Sequence, residues 1–393
     1  MKSKNTPAER RALLAEELER KEIDFALVSH PKHVFYLTGF TTNLNPWQSI
    51  MKGPRPTSLL ALWAEGSASL LVGASEFAGC FPGGKADAAG VFKGDISLYT
   101  DYDLSTTMVA YGNVLAREMK KWLEGFGSKS GRIGVEEWNM PELLGKTLLK
   151  VHPDAELYGI SELMLSMRSS KGADEIKNIV EATGRVGYAL GLARKGATVG
   201  RTELDVYADI NAGSFRKYGP FGWVVGDHAS GERSLTTGGP PTSRKLVAGD
   251  TMILDLQTSN NNYWADLCRT FAVGRRPSRQ QEKALSVLKE AKAAAEELLL
   301  PGTKGKEVYD AVSRVMVESG YSKLSHHAGH SIGLDDQEPP WFIPAEERRL
   351  QAGSVCVLEP GVYRKDCGGI RIEDLYVVRK NGPERISTFP LDL

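Results

Sequence analysis

The sequence lacks several features that would mark whole classes of protein. No apolar run approaches the ~18 residues of a membrane-spanning helix, and the opening residues carry no apolar core after their charges, which argues against a secretory signal. Lys and Arg total 49 and Asp and Glu total 49, so there is no basic excess for nucleic acid or a membrane surface. We therefore expect neither nucleic acid nor a membrane among its partners.

Cysteine is also scarce. The 393 residues contain four cysteines, none of them in a Cys-x-x-Cys pair, so a disulfide framework and a zinc-thiolate site are both disfavoured. This usage fits a reducing, cytoplasmic setting. The remaining composition, 41% hydrophobic and 25% charged, is that of an ordinary globular protein. At ~100–200 residues per domain, the length allows two or three domains.

The two halves of the chain show different patterns. Up to about residue 165, amphipathic helical segments such as 105–124 alternate with short apolar strands such as 23–29, which predicts a small α/β domain. A polar turn at 168–172 is followed by two helices and then by a strand-rich region. We therefore place a domain boundary there and predict domains at 1–165 and 166–393.

Five short segments of the second half concentrate residues that bind metals. Asp255 and Asp266 lie in two apolar strands joined by an Asn-rich turn, so they can lie side by side on antiparallel strands. His330 lies in a His-His-Ala-Gly-His run, Glu359 in Leu-Glu-Pro-Gly, and Glu373 in Gly-Ile-Arg-Ile-Glu-Asp. One strand carboxylate is explained by a structural ion pair, but four carboxylates beside apolar residues need several cations.

Metal ions supply those cations most compactly. Two divalent ions balance four carboxylates, and a set of four carboxylates and one imidazole suits a paired-metal site with bridging carboxylates. Such an oxygen-rich set favours manganese, with iron, cobalt or zinc as the other candidates.

In the order Asp, Asp, His, Glu, Glu, these segments resemble the pita-bread metallopeptidases, which include methionine aminopeptidase, aminopeptidase P and prolidase. Residues 168–393 resemble that catalytic domain throughout. The Tyr-Leu-Thr-Gly-Phe run of the first half resembles the extra domain of creatinase, aminopeptidase P and prolidase. The resemblance implies an α/β (α+β) protein with a small N-terminal creatinase-like domain and a C-terminal pita-bread metallohydrolase domain.

The same resemblance implies a function: a dinuclear-metal-dependent hydrolase like Xaa-Pro dipeptidase or aminopeptidase P, in which a metal-bridging hydroxide attacks the amide carbonyl of a small peptide. Glu359 would also carry the proton, and Arg371 matches an arginine that supports the site in aminopeptidase P. The implied assembly is a homodimer. The implied metal ligands are Asp255, Asp266, His330, Glu359 and Glu373.

Three positions depart from the peptidase pattern. Gln337 and Gly238 stand where the proline-specific peptidases carry histidines, and His33 stands where aminopeptidase P carries an aspartate. A glutamine donates a hydrogen bond but exchanges no proton near neutral pH. We therefore expect weak turnover of Xaa-Pro dipeptides, and we expect that restoring both imidazoles would raise it.

Three nearby residues offer groups that could compensate. His228 lies beside the altered run, His326 lies four residues before His330, and Asp336 lies six residues after it, where the related dimethylsulfoniopropionate lyases place a base. An alternative therefore stays open: a non-peptidase relative, either such a lyase or a creatinase-like or ectoine-hydrolase-like C–N hydrolase, acting on a small zwitterion. Those lyases carry an extra acid where this chain has Gln257, which counts against the lyase.

The loop at 45–58 carries Trp47 and Arg55. The resemblance implies that the N-terminal domain of one subunit reaches into the active site of its partner, where an arginine such as Arg55 would bind a substrate carboxylate bidentately. Arg371 is the other arginine that we expect to bind it. We therefore expect a small substrate that bears a carboxylate.

Overall fold

The computed structural model describes residues 5–40, 56–74, 92–100, 111–127 and 131–393. Trp47 and Arg55 lie outside these ranges. The chain divides into two compact units, Met1–Met167 and Arg168–Leu393, and the boundary predicted at 165 falls in the helix Ser161–Ser169. Within the described ranges, no helix is both long enough and apolar enough to cross a membrane.

The N-terminal unit is built on a six-stranded sheet in the order β4-β3-β2-β1-β5-β6. Central strand β1 pairs antiparallel with β2 and parallel with β5, as expected of a mixed α/β unit. The strands are β1 Phe25–Val28, β2 Ser58–Trp63, β3 Ala68–Gly73, β4 Asp95–Tyr99, β5 Arg132–Val135 and β6 Glu156–Gly159. The described helices are α1 Pro7–Arg20, α2 Pro31–Thr38, α3 Tyr111–Glu124, α4 Glu142–Val151 and α5 Ser161–Ser169.

His33 has a structural partner inside this unit. Its side chain is buried and contacts the carboxylate of Glu136. The same carboxylate accepts the backbone N–H groups of Ser29 and His30 at 2.6 and 2.7 Å. The buried carboxylate of Glu136 therefore links α2 to the end of β1, and these contacts supply the partners that a buried polar group requires.

The C-terminal unit contains a three-stranded sheet β7-β8-β9, a five-stranded sheet β11-β10-β12-β15-β16 and the hairpin β13-β14. Its helices are α6 Ala173–Gly196, α7 Glu203–Tyr218, α8 Arg279–Glu296 and α9 Gly305–Glu318. Its strands are β7 Val225–Ser230, β8 Thr251–Asn260, β9 Tyr263–Ala272, β10 His330–Ser331, β11 Glu338–Trp341, β12 Val355–Leu358, β13 Gly361–Arg364, β14 Gly368–Arg371, β15 Asp374–Arg379 and β16 Gly382–Arg385.

Local sequence explains where several of these elements begin and turn. Thr202 caps α7 and Ser278 caps α8, each accepting a backbone N–H of the first turn. Asn261 and Asn262 join β8 to β9 with φ angles of 46° and 67°, a conformation that asparagine tolerates better than most residues. The turn predicted from the Asn-rich stretch at 259–262 is thus present but shorter, because Ser259 and Asn260 still belong to β8.

A buried apolar cluster supports the strands that carry the site. It joins α8 and α9 to β12, β14 and β15 through fully buried side chains such as Leu288, Val312, Leu358 and Ile370. Burying one such side chain stabilises the fold by about 1.5–3 kcal/mol. This packing fixes β12 and β15, whose ends place Glu359 and Glu373.

Candidate active site

Strand pairing brings four polar side chains to one face of the β7-β8-β9 sheet. Asp227 lies opposite Asp255, and Gln257 lies opposite Asp266. Residues opposite each other share a face, and so do residues two apart on one strand. Asp255 and Asp266 are therefore diagonal neighbours on the same face, and Gln257 donates to Asp266 Oδ2 at 2.7 Å.

The other three predicted ligands come from connected segments of the second sheet. His330 begins β10, Glu359 follows β12, and Glu373 precedes β15. Strand β12 pairs with both β10 and β15. The Glu359 N–H donates to the Ala328 carbonyl at 2.9 Å, and the Glu373 N–H donates to the Cys268 carbonyl of β9 at 3.1 Å. Backbone hydrogen bonds thus tie the two sheets together at the site.

These segments enclose a pocket of about 320 Å³. His330 Nε2 lies 3.5 Å from Glu359 Oε1 and 3.9 Å from Asp266 Oδ2. Ligand atoms of Asp266, His330 and Glu373 all lie within 4.8 Å of one another. The residues that line the pocket are Gly226, Asp227, Thr237, Asp255, Gln257, Asp266, His326, His327, Gln337, Glu359 and Arg371.

Buried carboxylate oxygens here lack partners. Among the described residues, Asp255 Oδ1, Asp266 Oδ1 and both oxygens of Glu373 are buried and make no hydrogen bond. An unsatisfied buried polar group costs about 1–3 kcal/mol, and more when it is charged. Burial, and then the charge of Asp255, raise the pKa of Asp266, while burial and the charge of Asp266 raise that of Glu373. Converging oxygens of this kind fit divalent cations.

The tautomer of His330 also fits a metal. His330 Nδ1 lies 2.9 Å from the Ser331 carbonyl oxygen, so the hydrogen-bond pattern assigns the proton to Nδ1. The lone pair of Nε2 then points to the carboxylates. Burial lowers the pKa of His330, which favours the neutral imidazole that metals bind.

Arg371 bridges two carboxylates rather than presenting an open cation. Its Nη2 donates to Asp255 at 2.6 Å and to Asp227 at 2.8 Å, and its Nη1 donates to the Thr237 carbonyl. Burial opposes the charge of Arg371, but Asp255 outweighs it and raises the pKa. The guanidinium therefore carries a positive charge that the carboxylates of Asp255 and Asp227 already balance. This arrangement does not support the expectation that Arg371 binds a substrate carboxylate.

Tyr363 links Arg371 to His326. The Tyr363 hydroxyl lies 3.3 Å from Arg371 Nη1, which donates to it, and 2.9 Å from His326 Nε2. His326 Nδ1 lies 2.7 Å from the His327 carbonyl oxygen and donates to it. Burial lowers the pKa of His326. His326 lines the pocket, and both nitrogens of its ring have a hydrogen-bond partner.

His327 is a pocket residue that the sequence reasoning passed over. Its Nε2 lies 2.7 Å from Glu359 Oε1. Burial lowers the pKa of His327, but the contact with Glu359 outweighs it and raises the pKa. In turn, burial raises the pKa of Glu359, and His327 outweighs it and holds the value at about 2. In the sequence, its position as the second histidine of the His-His run was the signal that could have identified His327 as a pocket residue.

Two predicted residues are not brought into the pocket. His228 is fully buried, its ring 5.1 Å from that of Tyr207 on α7, because it alternates with Asp227 and faces the other side of β7. Burial lowers the pKa of His228 to about 4. Asp336 is half-buried and does not line the pocket, although its neighbour Gln337 does.

Asp227 takes the place that was expected for a compensating histidine. Its Oδ1 accepts the Gly239 N–H at 2.8 Å and its Oδ2 accepts from Arg371. Burial, and then the charge of Asp255, raise the pKa of Asp227, while Arg371 and the Gly239 N–H oppose them. The sequence reasoning passed over this residue in favour of His228, its neighbour.

Two family models together match most of the chain. Residues 174–380 match the model of metallopeptidase family M24, and residues 10–170 match that of the creatinase/prolidase N-terminal domain. Among curated proteins, an Xaa-Pro dipeptidase of Pyrococcus horikoshii is 30% identical over 274 residues, which is 69% of this chain and 76% of that protein.

Solved structures show the same fold. The prolidase from Pyrococcus horikoshii OT3 superposes with a TM-score of 0.80 at 24% identity, covering 98% of this chain and 99% of that one. The X-Pro aminopeptidase from Thermotoga maritima MSB8 gives a TM-score of 0.77 at 24% identity, covering 95% and 98%. The predicted combination of a creatinase-like domain with a pita-bread domain is thereby confirmed.

Proposed function

The chain belongs to metallopeptidase family M24, and on this basis we propose that it hydrolyses the amide bond before proline in small peptides. Membership makes it a metallohydrolase. The observation that carries the proposal is the set of buried, unpartnered oxygens on Asp255, Asp266 and Glu373 beside His330, whose Nε2 faces the carboxylates of Glu359 and Asp266. A pocket of that composition needs bound cations to be stable.

We assign the metal ligands to five residues, and two divalent ions, manganese first, match their charge. Bound ions would supply an acidified water and polarise the scissile carbonyl. This assignment rests on burial, on the missing partners and on the short distances around His330. The proposed ligands are Asp255, Asp266, His330, Glu359 and Glu373.

The side chains of this chain would then move one proton and hold the substrate. Glu359 lies at the pocket wall beside His327, where its carboxylate can accept a proton from the attacking water. It would deliver that proton to the proline nitrogen, which leaves as an amine. Arg371 and Tyr363 orient Asp255 and His326 rather than reacting themselves.

Donors for the developing oxyanion come from fewer groups than in the proline peptidases that this chain resembles. Gln337 lines the pocket and its side-chain amide is able to donate a hydrogen bond, whereas Gly238 offers no side chain. Loss of one preorganised donor typically costs ~10²–10³ in turnover. We therefore propose that plain Xaa-Pro dipeptides are hydrolysed more slowly than the ~10 s⁻¹ of a typical enzyme.

No observation favours the non-peptidase alternative. The curated relative from Pyrococcus horikoshii is a dipeptidase. Gln257, at the position where the lyases carry an acid, donates its amide to Asp266 and so acts as a neutral partner of a proposed ligand. The homodimer and the cytoplasmic setting remain predictions from the sequence.

The test compares dipeptides of equal composition. The metal-free protein and the manganese-loaded protein are each given Ala-Pro and Pro-Ala, with small zwitterions as a third set. We expect hydrolysis of Ala-Pro only, and only with metal. Hydrolysis of a zwitterion with no turnover of any Xaa-Pro peptide, under manganese, iron, cobalt or zinc, would contradict the proposal.

A further inference from the structure

The carboxylate of Asp227 fills the space in which a side chain at position 238 would lie. A Cβ atom built on Gly238 would lie 1.8 Å from Asp227 Oδ2 and 2.2 Å from its Cγ, well inside van der Waals contact. Position 238 therefore accepts no side chain while Asp227 is in place. The pocket wall at this point is made by a carboxylate from strand β7.

This carboxylate is held firmly on its inner side. The Gly239 N–H donates to Oδ1 at 2.8 Å, and Arg371 donates to Oδ2 at 2.8 Å. Arg371 is itself fixed by Asp255 and by the Thr237 carbonyl. A carboxylate held by two donors of a rigid frame is a preorganised group rather than a mobile surface acid.

The outer side of the carboxylate is open to the pocket. The Asp227 side chain keeps 33% of its surface exposed, and the residue lines the pocket beside Asp255 and Gln257. An ionised carboxylate has about four acceptor positions and no donor, and two of these are used. The side chain therefore keeps acceptor capacity for a molecule that fills the pocket.

The balance of charges in the pocket also disfavours a substrate carboxylate. In the proposed ligand set, four carboxylates balance two divalent ions, while Arg371 is shared between Asp255 and Asp227. Among the described residues that line this pocket, Arg371 is the one arginine or lysine. Asp227 therefore removes the positive charge that would otherwise attract a substrate carboxylate.

We infer that Asp227 is a specificity-determining residue. Its carboxylate forms this part of the pocket wall, where it favours substrates that present a neutral or cationic hydrogen-bond donor and disfavours substrates that present a free carboxylate. This inference rests on the proposed function. It narrows the substrate class to peptides whose carboxyl terminus is amidated or continues into a longer chain, in preference to free dipeptides. It also replaces the expectation of a substrate carboxylate bound by Arg371.

The experiment uses ligands that differ by one group. Proline and prolinamide are titrated calorimetrically into the manganese-loaded protein, and kcat/KM is measured for Ala-Pro and Ala-Pro-amide. We expect the amide to be preferred about tenfold, which is the effect of one charge-assisted hydrogen bond. In kinetics, the preference should lie in KM more than in kcat, since Asp227 binds substrate and takes no part in proton transfer.

Asp227→Asn is the matched variant, because it keeps the volume and removes the charge. It should lose the tenfold preference in both assays while metal content by elemental analysis stays unchanged. Glu232→Gln is the control, since Glu232 is an exposed acid of the following segment and does not line the pocket. It should keep the preference.

The outcomes separate this inference from the proposed function. If prolinamide outbinds proline but no Xaa-Pro peptide is hydrolysed, the inference stands and the proposed function fails. If the wild-type protein binds proline as well as prolinamide, or binds neither, the inference is overturned whatever the activity. Should Asp227→Asn fail to fold, the wild-type preference still decides the question.

Discussion

Asp227 and Asp255 lie directly opposite each other on neighbouring antiparallel strands, and one guanidinium group, that of Arg371, bridges them at 2.8 and 2.6 Å. Like charges facing each other on a sheet are destabilising without such a bridge. The same cation therefore orients a proposed metal ligand and a wall of the pocket. Because Arg371 contacts both acids, metal content is measured together with the kinetics of every Asp227 variant.

Asp266→Asn is predicted to lose metal and activity together. The substitution keeps the shape of the side chain but removes one of the buried negative charges that the ions balance. We expect at least one of the two ions to be lost by elemental analysis, with turnover reduced ~10²-fold or more. Asp310→Asn is the control, because Asp310 is an exposed acid on α9. Full metal occupancy in Asp266→Asn would show that the ligand assignment is wrong.

Tyr363→Phe is predicted to slow turnover without releasing metal. The change removes the hydroxyl that joins Arg371 to His326 Nε2. The hydrogen bond to the His326 ring, a neutral one, contributes about 0.5–1.5 kcal/mol, so kcat should fall at least several-fold. Tyr321→Phe is the control, since Tyr321 stacks with Arg364 outside the pocket. A loss of metal in Tyr363→Phe would mean that the hydroxyl holds the metal site itself.

Acid sensitivity is predicted to arise in part from Glu338. Its buried carboxylate contacts Arg168 at 2.5 Å and Lys171 at 2.9 Å. Burial raises the pKa of Glu338, but Arg168, and then Lys171, outweigh it and lower the value to about 2, while Asp335 opposes them. A depressed carboxyl pKa stabilises the fold above the usual value of 4.5. That contribution, up to about 3 kcal/mol, is lost as pH falls through 4.5 toward about 2.

The check compares the free energies of unfolding by urea at about pH 7 and about pH 3. Glu338→Gln should be less stable by about 3–5 kcal/mol at neutral pH, and its stability should fall less on acidification. Glu347→Gln is the control, because Glu347 is an exposed acid that contacts Lys304 and Lys306 at the surface, where water and salt screen such pairs. Equal acid sensitivity in wild type and Glu338→Gln would rule out this assignment.

The family and the two-domain fold were predictable because their signals are local in sequence. An apolar strand that ends in Asp255 and a turn rich in asparagine before Asp266 can each be recognised from a few residues. The structure adds the strand register, which decides that these two acids are diagonal rather than opposite. Alternation along a strand gives side-chain direction only once one residue's direction is known.

Because alternation alone does not show which side chains of a strand face the pocket, the sequence favoured His228 as the pocket residue instead of Asp227. Both are polar residues in one short segment, and imidazole is the more familiar catalytic group. Only the pairing of Asp227 with Asp255 shows that Asp227 faces the pocket and His228 faces Tyr207. His327 was passed over for a different reason: it lies in an irregular segment before β10, where no periodicity assigns a direction to its side chain.

Restoring an imidazole at position 238 is predicted to fail while Asp227 is present. From the sequence, Gly238→His together with Gln337→His is expected to raise dipeptide turnover. In the structure, the new Cβ would meet Asp227 Oδ2 at 1.8 Å, so Asp227 must move and release Arg371. Overpacking of this kind costs about 1–3 kcal/mol. Gly238→His alone should therefore lower both the melting temperature and the turnover of Ala-Pro.

Asp227→Ala in the same chain should reverse both effects. The shorter side chain vacates the space that histidine needs and leaves the charge of Arg371 to Asp255 alone, so that a substrate carboxylate is no longer repelled. The measurement is a double-mutant cycle on the melting temperature and on kcat/KM for Ala-Pro, in which residues in contact give non-additive effects. Turnover of Ala-Pro by the double variant should exceed that of either single variant and of the wild type. If the two substitutions instead act additively, then Asp227 and position 238 do not compete for the same space, and steric exclusion by Asp227 does not explain why position 238 carries no histidine.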